Sequence, residues 1–158
     1  AEDLGVITPE VEDLRDTFHF PGMKVLQFAF ESLDENGFLP HQFTTANCVC
    51  YTGTHDNDTT CGWYATLAPH CREKTAMYMN LREGDSIGMA FVRTALSSIA
   101  AYAIFPLQDV LGIGKEGRMN TPGVPAGNWG WRYTKDALTD SLAEDLRALT
   151  ALYGRCTR

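Results

Sequence analysis

The fold of this chain can be inferred from one stretch, Cys48-Val49-Cys50-Tyr51-Thr52-Gly53-Thr54-His55-Asp56-Asn57-Asp58-Thr59-Thr60. Its first three residues form a β-prone run that is too short for a helix, which predicts a strand. The residues that follow combine a glycine with many hydrogen-bonding side chains. In parallel α/β folds, the carboxyl ends of buried strands open into loops where ligands bind and chemistry occurs. The stretch therefore predicts a strand that carries a functional loop at its carboxyl end.

Two further strands are predicted, one before and one after this stretch. Residues 23–30 form a nearly continuous apolar run of strand length. Residues 103–109 form another, although Pro106 fits a strand only at a bulge or at a strand end. The glycine-rich and tryptophan-containing segment 112–132 is too irregular for a helix and is expected to be a long loop.

Helix caps and apolar periodicity predict four helices. They begin after Thr8, at Pro69, after Ser86 and at the capping-box pattern Ser141-Leu142-Ala143-Glu144, and the second and fourth end near Gly84 and Gly154. Two of their expected apolar faces consist of Val11, Leu14 and Phe18 in the first helix, and of Val92, Ala95, Leu96 and Ile99 in the third.

Strands that alternate with helices predict parallel βα units with the helices on the outside. Three strands make an incomplete sheet, which corresponds to roughly the second half of an eightfold barrel of about 250 residues. The chain also begins at Ala1 rather than Met, with a polar segment and no preceding strand. We therefore expect it to be a piece of a longer α/β barrel protein.

Composition narrows the classes of partner. The 158 residues are 44% hydrophobic and 21% charged, which is ordinary for a globular domain with its own core. The formal net charge of −7, without a lysine or arginine run, argues against a nucleic acid or an anionic membrane as partner, whereas a neutral ligand such as a sugar is compatible with it. No apolar run approaches the roughly 18 residues that would span a bilayer.

Cysteine usage indicates the compartment. The five cysteines are an odd number with irregular spacing and no CxxC pair, which predicts reduced thiols in the cytoplasm. The spacing does not favour a zinc site either. We expect no metal and no cofactor.

The candidate catalytic groups are the carboxylates of Glu2, Asp3, Asp56 and Asp58, which lie in loops. Transfer of a sugar needs an acid to protonate the leaving oxygen and a negative charge or acceptor to stabilise the positive charge that develops at the anomeric carbon. The alternative is that Asp56 and Asp58 only brace a turn through hydrogen bonds from their side chains to the backbone. The residue pattern alone leaves both interpretations open.

Other motifs also have two interpretations. His55 is either a ligand contact or a buried, satisfied histidine, and a metal role for residues 55–58 is a minor alternative. Residues 112–117 match GxGxxG, but the following Thr121-Pro122-Gly123 cannot form the helix that a dinucleotide-binding loop requires. Trp129 and Trp131 are either core-packing residues, which the pattern alone favours, or flat platforms for sugar rings.

Several stretches together resemble the 4-α-glucanotransferase family, which is also known as the amylomaltase or disproportionating-enzyme family and as glycoside hydrolase family 77. They cover essentially the whole chain in order: residues 1–5 (Ala-Glu-Asp-Leu-Gly), 21–30 (Pro-Gly-Met-Lys-Val-Leu-Gln-Phe-Ala-Phe), 39–41 (Leu-Pro-His), 51–59 (Tyr-Thr-Gly-Thr-His-Asp-Asn-Asp-Thr), 106–109 (Pro-Leu-Gln-Asp), 118–123 (Arg-Met-Asn-Thr-Pro-Gly), 127–129 (Gly-Asn-Trp) and 131–132 (Trp-Arg).

The resemblance implies a (β/α)₈ barrel, of which this chain would hold the end of strand five through helix eight. It implies a retaining transfer of α-1,4-glucan segments between maltooligosaccharides. Glu2 would be the general acid and base, and Asp56 the carboxylate that stabilises the transition state. The implied substrate-binding residues are His55, Asn57, Asp58, Asn120, Trp129 and Trp131.

One departure from the family pattern matters for activity. The nucleophilic aspartate of the family lies at the tip of strand four, upstream of Ala1, so the chain would need the missing amino-terminal half of its barrel to form the covalent intermediate. Two other functions remain as alternatives, a non-catalytic α-glucan-binding module and an α-glucan hydrolase of related barrel fold.

Overall fold

Three short parallel strands form the centre of this computed structural model, which describes residues 1–5, 7–34 and 36–156. The strands are β1 (Gly22–Val25), β2 (Cys48–Tyr51) and β3 (Tyr102–Ile104), and β2 lies between the other two. Val25, Tyr51 and Ile104 are in register, so the carboxyl ends of all three strands meet at one edge. The predicted α/β class and parallel sheet are confirmed.

Helices connect and cover these strands. Their bounds in the described ranges are α1 (Pro9–Thr17), α2 (Thr60–Thr66), α3 (Pro69–Met79), α4 (Ile87–Ser97), α5 (Leu107–Val110) and α6 (Asp140–Leu152). Short 3₁₀ helices cover Leu26–Phe30, Pro40–Gln42, Lys115–Gly117 and Lys135–Ala137. No helix in this part of the chain is both long and apolar enough to cross a bilayer.

Two predicted strands are shorter in the structure. The strand predicted over 23–30 ends at Val25, and the rest of the apolar run is the buried 3₁₀ helix Leu26–Phe30. The strand predicted over 103–109 ends at Ile104, and Pro106 is the N-terminal cap of α5. A continuous apolar run does not distinguish a buried strand from a buried helical turn, and proline favours helix starts over strand interiors, which explains both errors.

Helix boundaries differ from the predictions in several places. Helix α4 is capped by Ser86 as predicted, whereas α6 is capped by Thr139, whose hydroxyl accepts a hydrogen bond from Leu142 N, and not by Ser141. Helix α3 ends at the left-handed Asn80 rather than near Gly84. Ile99 lies beyond the end of α4 and is exposed, so it is not part of the buried stripe.

Helix α2 was not predicted. It begins after Thr59, whose side-chain oxygen accepts a hydrogen bond of 3.1 Å from Gly62 N. It places the buried Trp63 in the core, where the indole ring packs edge-on against Phe91 of α4. This capped turn fixes the carboxyl-terminal end of the polar loop that follows β2.

Helix α1 begins at Pro9 as predicted, but its apolar face is not covered by the described residues. The side chains of Val11, Leu14 and Phe18 are between 41% and 61% exposed. By contrast, the buried stripe predicted for α4 packs inward, because Val92, Ala95 and Leu96 are almost fully buried.

Candidate active site

A cavity of about 540 Å³ opens at the carboxyl ends of the strands. Four residues predicted for the site contribute to its wall, namely Glu2, His55, Asp56 and Asn57. The other lining residues are Leu4, Met23, Phe28, Tyr51, Gly53, Thr54, Ile104, Phe105 and Pro106. The structure therefore brings the amino-terminal segment and the loop after β2 to one concave surface.

Glu2 is held beside β1 by its neighbour Asp3. The nearly buried carboxylate of Asp3 accepts a hydrogen bond of 2.6 Å from Arg15 Nη1 in α1 and one of 2.7 Å from Met23 N in β1. A Cβ atom at Gly22 would lie only 2.6 Å from Asp3 Oδ2, so a larger residue there would displace the Asp3 carboxylate. Asp3, a candidate acid in the sequence, thus joins the segment that carries Glu2 to both α1 and β1.

The loop after β2, residues 53–59, is braced from within. Asn57 Oδ1 accepts hydrogen bonds from the backbone nitrogen and the hydroxyl of Thr54, at 2.8 and 2.9 Å. Gln27 Nε2 donates to the Asp58 carbonyl oxygen at 3.0 Å, and a Cβ at Gly53 would approach that same nitrogen to 2.6 Å. These contacts give the loop a defined shape at the mouth of the cavity.

Asp58 faces a different space from Asp56. Its Oδ1 accepts a hydrogen bond of 2.7 Å from Thr59 N, at the start of α2. It lines a separate cavity of about 110 Å³ that borders the larger one through His55 and Asn57. The turn-bracing interpretation describes the observed contact of Asp58.

Asp56 is half-exposed and receives its contacts on one oxygen. Asn120 Nδ2 donates to Asp56 Oδ1 at 2.6 Å, and His55 Nε2 lies 3.3 Å from the same atom. Arg118 Nη2 donates to the Asp56 backbone carbonyl at 2.9 Å. Within the described part of the chain, Asp56 Oδ2 accepts no hydrogen bond, so it is available to a ligand in the cavity.

The loop after α5 supplies Arg118, Asn120 and an aromatic ring. Asn120 N donates to the His55 carbonyl at 3.1 Å, which ties the two loops together through their backbones. The Trp129 ring lies 5.2 Å from the His55 ring, at an interplanar angle of 33°. Trp129 therefore borders the site through His55, whereas Trp131 packs against Tyr133, with ring centroids 6.3 Å apart. Neither tryptophan lines the 540 Å³ cavity itself.

A buried carboxylate behind the site was not predicted as a functional residue. Asp109 is only 1% exposed and accepts hydrogen bonds from Thr52 Oγ1, Thr60 N and Thr60 Oγ1, at 2.5, 2.9 and 2.8 Å. Burial raises the pKa of the Asp109 carboxyl above its usual value, while these three hydrogen bonds oppose the rise. Its partners lie 49 and 57 residues away in sequence, so no local pattern indicates the contact.

The described ranges contain no side-chain cluster that would bind a metal ion. Those residues contain no group of three or more histidine, cysteine, aspartate or glutamate side chains placed to hold an ion. The described cysteines are unpaired, as the sequence predicts, and burial raises the pKa of the Cys50 thiol to about 12.

A parallel sheet whose carboxyl-end cavity carries two carboxylates, a histidine and a bordering tryptophan is typical of the carbohydrate-active α/β class. The family model for 4-alpha-glucanotransferase matches residues 1–139. The chain belongs to this family, as its resemblance predicts.

Individual relatives give the same result. The chain is 56% identical over 155 residues to the 4-alpha-glucanotransferase of Synechocystis sp. and 51% identical over 155 residues to that of Thermus thermophilus. These matches cover 98% and 94% of this chain but 31% of each relative. The amylomaltase from Streptococcus agalactiae in complex with acarbose matches with a TM-score of 0.95 and 33% identity, over 99% of this chain and 32% of that one. The chain thus spans about a third of the length of its relatives.

Proposed function

We propose that this chain is the carboxyl-terminal part of a 4-α-glucanotransferase that transfers α-1,4-glucan segments between maltooligosaccharides with retention of configuration. The observation that carries the proposal is that Glu2 and Asp56, 54 positions apart in sequence, line one cavity at the strand ends. The names of the relatives, and the acarbose complex of a structurally similar amylomaltase, support an α-glucan as the ligand class.

The proposed architecture is a (β/α)₈ barrel in which this chain supplies the end of strand five through helix eight. Consecutive order of three parallel strands supports it, since barrel strands neighbour each other in sequence order. The exposed apolar face of α1 supports it as well, because the other part of the barrel would cover that face.

The proposed mechanism is a double displacement. Glu2 gives its proton to the departing glycosidic oxygen while an aspartate upstream of this chain attacks the anomeric carbon and forms a glycosyl ester. Glu2 then takes the proton from the 4-hydroxyl of an incoming glucan, whose oxygen attacks the anomeric carbon and releases the aspartate. Asp56 stabilises the positive charge that the sugar ring develops in both steps.

The remaining predicted residues would hold the sugar. Asn120 and His55 orient Asp56 through its Oδ1, and His55 adds a ring nitrogen that can bind a hydroxyl. Trp129 offers a flat face beside His55 for a sugar ring. Asn57, Asp58 and Trp131 would act further along the groove, with Asn57 and Asp58 also shaping the loop.

The charge of the chain and its free thiols bear on the proposed partners and location. The acidic chain without a basic run supports glucan donors and acceptors and argues against nucleic acid or a membrane surface. Unpaired thiols support a reducing, cytoplasmic location. Because the nucleophile would lie upstream, the isolated chain would not turn over substrate.

Substitution of the two acids in the full-length enzyme tests the proposal. Glu2→Gln removes the transferable proton and Asp56→Asn removes the stabilising charge, so each should lower glucose release from maltotriose at least about a hundredfold. Glu10→Gln changes an exposed acid on α1 and is the matched control, with activity near that of the parent. Activity of Glu2→Gln or Asp56→Asn within a few-fold of the parent would overturn the role of that residue.

Product analysis separates transfer from the two alternatives. A transferase converts maltotriose into glucose and oligosaccharides longer than the substrate, whereas a hydrolase yields only shorter products. A non-catalytic glucan-binding module would bind maltotriose and leave it unchanged even in the full-length protein.

A further inference from the structure

The short helix α5 contacts both ends of the loop that carries His55 and Asp56. Asp109 in α5 accepts hydrogen bonds from Thr52, directly after β2, and from Thr60, the first residue of α2. These two threonines flank residues 53–59. A single buried carboxylate therefore fixes where the loop begins and where it ends.

The preceding residue, Gln108, contacts the second loop of the site. Its Nε2 donates a buried hydrogen bond of 2.9 Å to the Gly117 carbonyl oxygen. A Cβ at Gly117 would lie 3.1 Å from Gln108 Cγ and 2.6 Å from Ile113 Cγ2, so the chain passes very close at this point. Arg118 follows Gly117 directly and Asn120 comes two residues later, and they donate to the backbone carbonyl and the carboxylate of Asp56, respectively.

Helix α5 is itself held in place by α4. A Cβ at Gly88 would lie 2.0 Å from the Asp109 carbonyl oxygen, which places the two backbones in direct contact. Displacement of α5 toward α4 is therefore blocked. The two adjacent side chains, Gln108 and Asp109, thus extend from a helix whose backbone contacts α4 directly.

We propose that Gln108 and Asp109 are positioning residues that hold the two active-site loops in the register at which Asn120 contacts Asp56. Neither side chain lines the 540 Å³ cavity that holds Glu2 and Asp56, and of the two only Gln108 borders the smaller cavity of about 110 Å³ beside Asp58. Both therefore affect the pair of carboxylates through other residues. Asp109 sets the loop that carries Asp56, and Gln108 sets the loop that carries Asn120. The catalytic part of this inference rests on the proposed function.

A double-mutant cycle in the full-length enzyme distinguishes positioning from a general contribution to stability. Gln108→Leu keeps the approximate size of the side chain and removes its donor, so the loop with Asn120 should shift. We expect kcat for maltotriose to fall about tenfold or more, with KM changed less than about twofold, because small displacements of a catalytic group mainly affect the chemical step. Asn120→Ala should give a similar loss, and the double variant should be no worse than about twofold below Asn120→Ala alone.

The role of Gln108 would be overturned if the kcat loss of the double variant equalled the product of the two single losses. An unchanged kcat in Gln108→Leu would overturn it as well. Thr75→Val is the matched control, since it removes a buried hydrogen bond of 2.8 Å from Thr75 Oγ1 to the Cys71 carbonyl in α3, outside the two loops. It should lower Tm and leave kcat unchanged.

Asp109 is tested by comparing two substitutions. Asp109→Asn keeps a carbonyl oxygen for Thr60 N, and the threonine hydroxyls can reverse to accept from its amide, whereas Asp109→Ala leaves Thr60 N without its acceptor. We expect Asp109→Asn to retain about tenfold more kcat than Asp109→Ala. Equal kcat losses in both variants would overturn the hydrogen-bonding role of Asp109. If the alanine variant does not fold, a kcat of Asp109→Asn below one-hundredth of the parent value would overturn that role instead.

A crystal structure of Gln108→Leu provides a readout that is independent of activity. We expect the distance between Asn120 Nδ2 and Asp56 Oδ1, which is 2.6 Å in the parent, to exceed 3.5 Å. An unchanged distance would overturn the positioning inference even in an active enzyme. Failure of the proposed function gives a different result, namely a parent enzyme that forms no transfer products.

Discussion

At the scale of single residues, the loop that carries His55 and Asp56 is held by contacts between side chains far apart in the chain, such as those of Asp109 with Thr52 and Thr60. His55 and Asp56 follow a β-prone run, so their position at a strand end was predictable from adjacent residues. The contacts of Asp109 with Thr52 and Thr60 were not, because they join residues that only the folded chain brings together. Local patterns indicate which residues reach the site but do not indicate which residues hold them there.

Cys50 should make stability depend on alkaline pH. Burial raises the pKa of its thiol to about 12 from an ordinary value near 9.0, so the folded state favours the neutral thiol. The contribution of the neutral Cys50 thiol to stability is fully present below pH 9. It is lost as the pH rises toward 12, because the thiol of the unfolded chain releases its proton first. At pH 10 we expect a loss of about 1 kcal/mol in the free energy of unfolding of the full-length protein.

Urea unfolding at pH 8 and pH 10 measures this effect, with Cys50→Ala as the comparison. The alanine variant is less stable than the parent at both pH values because the substitution leaves a small cavity. Its free energy of unfolding should, however, fall by about 1 kcal/mol less than that of the parent between pH 8 and pH 10. An identical pH dependence in parent and variant would show that Cys50 does not ionise differently in the two states.

At the scale of elements, the strand β2, the start of α1 and the Ser86 cap of α4 agree with the sequence. The ends of β1 and β3 do not, and the Thr8 side chain makes no capping hydrogen bond to α1. The apolar run after Val25 is a largely buried 3₁₀ helix in which Phe28 alone is partly exposed, so burial is predicted correctly and conformation is not. Helix α2 has only seven residues, too few to show a clear helical period. Short elements depend mainly on tertiary contacts, which a linear pattern does not contain.

The contact between α1 and the segment before it should affect catalysis. Arg15 in α1 donates to Asp3, and Asp3 is next to Glu2. Arg15→Met keeps the aliphatic stem but removes this hydrogen bond, so the segment carrying Glu2 should become less ordered. We expect kcat of the full-length enzyme to fall about tenfold.

The matched control for this substitution is Arg93→Met on the exposed surface of α4, which should retain parental kcat. Steady-state kinetics with maltotriose measures both variants. Equal kcat values for Arg15→Met and Arg93→Met would show that Asp3 holds the segment through Met23 N alone.

At the scale of the whole molecule, the chain exposes more surface than a complete domain of its size. Its solvent-accessible area is 9878 Å² for 17.5 kDa, whereas folded monomers of this mass expose roughly 7,900 Å². Part of the excess is apolar and lies on α1 and on β3, where Tyr102 and Ile104 are exposed. Strands β1 and β3 also form the two edges of the sheet.

The isolated 158-residue chain should therefore self-associate. Exposed strand edges and apolar side chains favour pairing between copies, and the chain alone should give no glucose from maltotriose. Sedimentation velocity at increasing concentration measures the association. A monodisperse monomer that unfolds cooperatively would contradict the expectation that this chain requires the rest of a barrel.

The backbone of Trp129 has a consequence for any attempt to engineer this protein. Its φ of +62° lies in the left-handed region, where a residue with a side chain is less stable than glycine by about 1 kcal/mol. Glycine at this position would thus relieve conformational strain, yet it would also delete the indole beside His55. Thermal robustness and the sugar contact proposed for Trp129 make opposite demands on one amino acid, so a search guided by melting temperature alone would select against the ring.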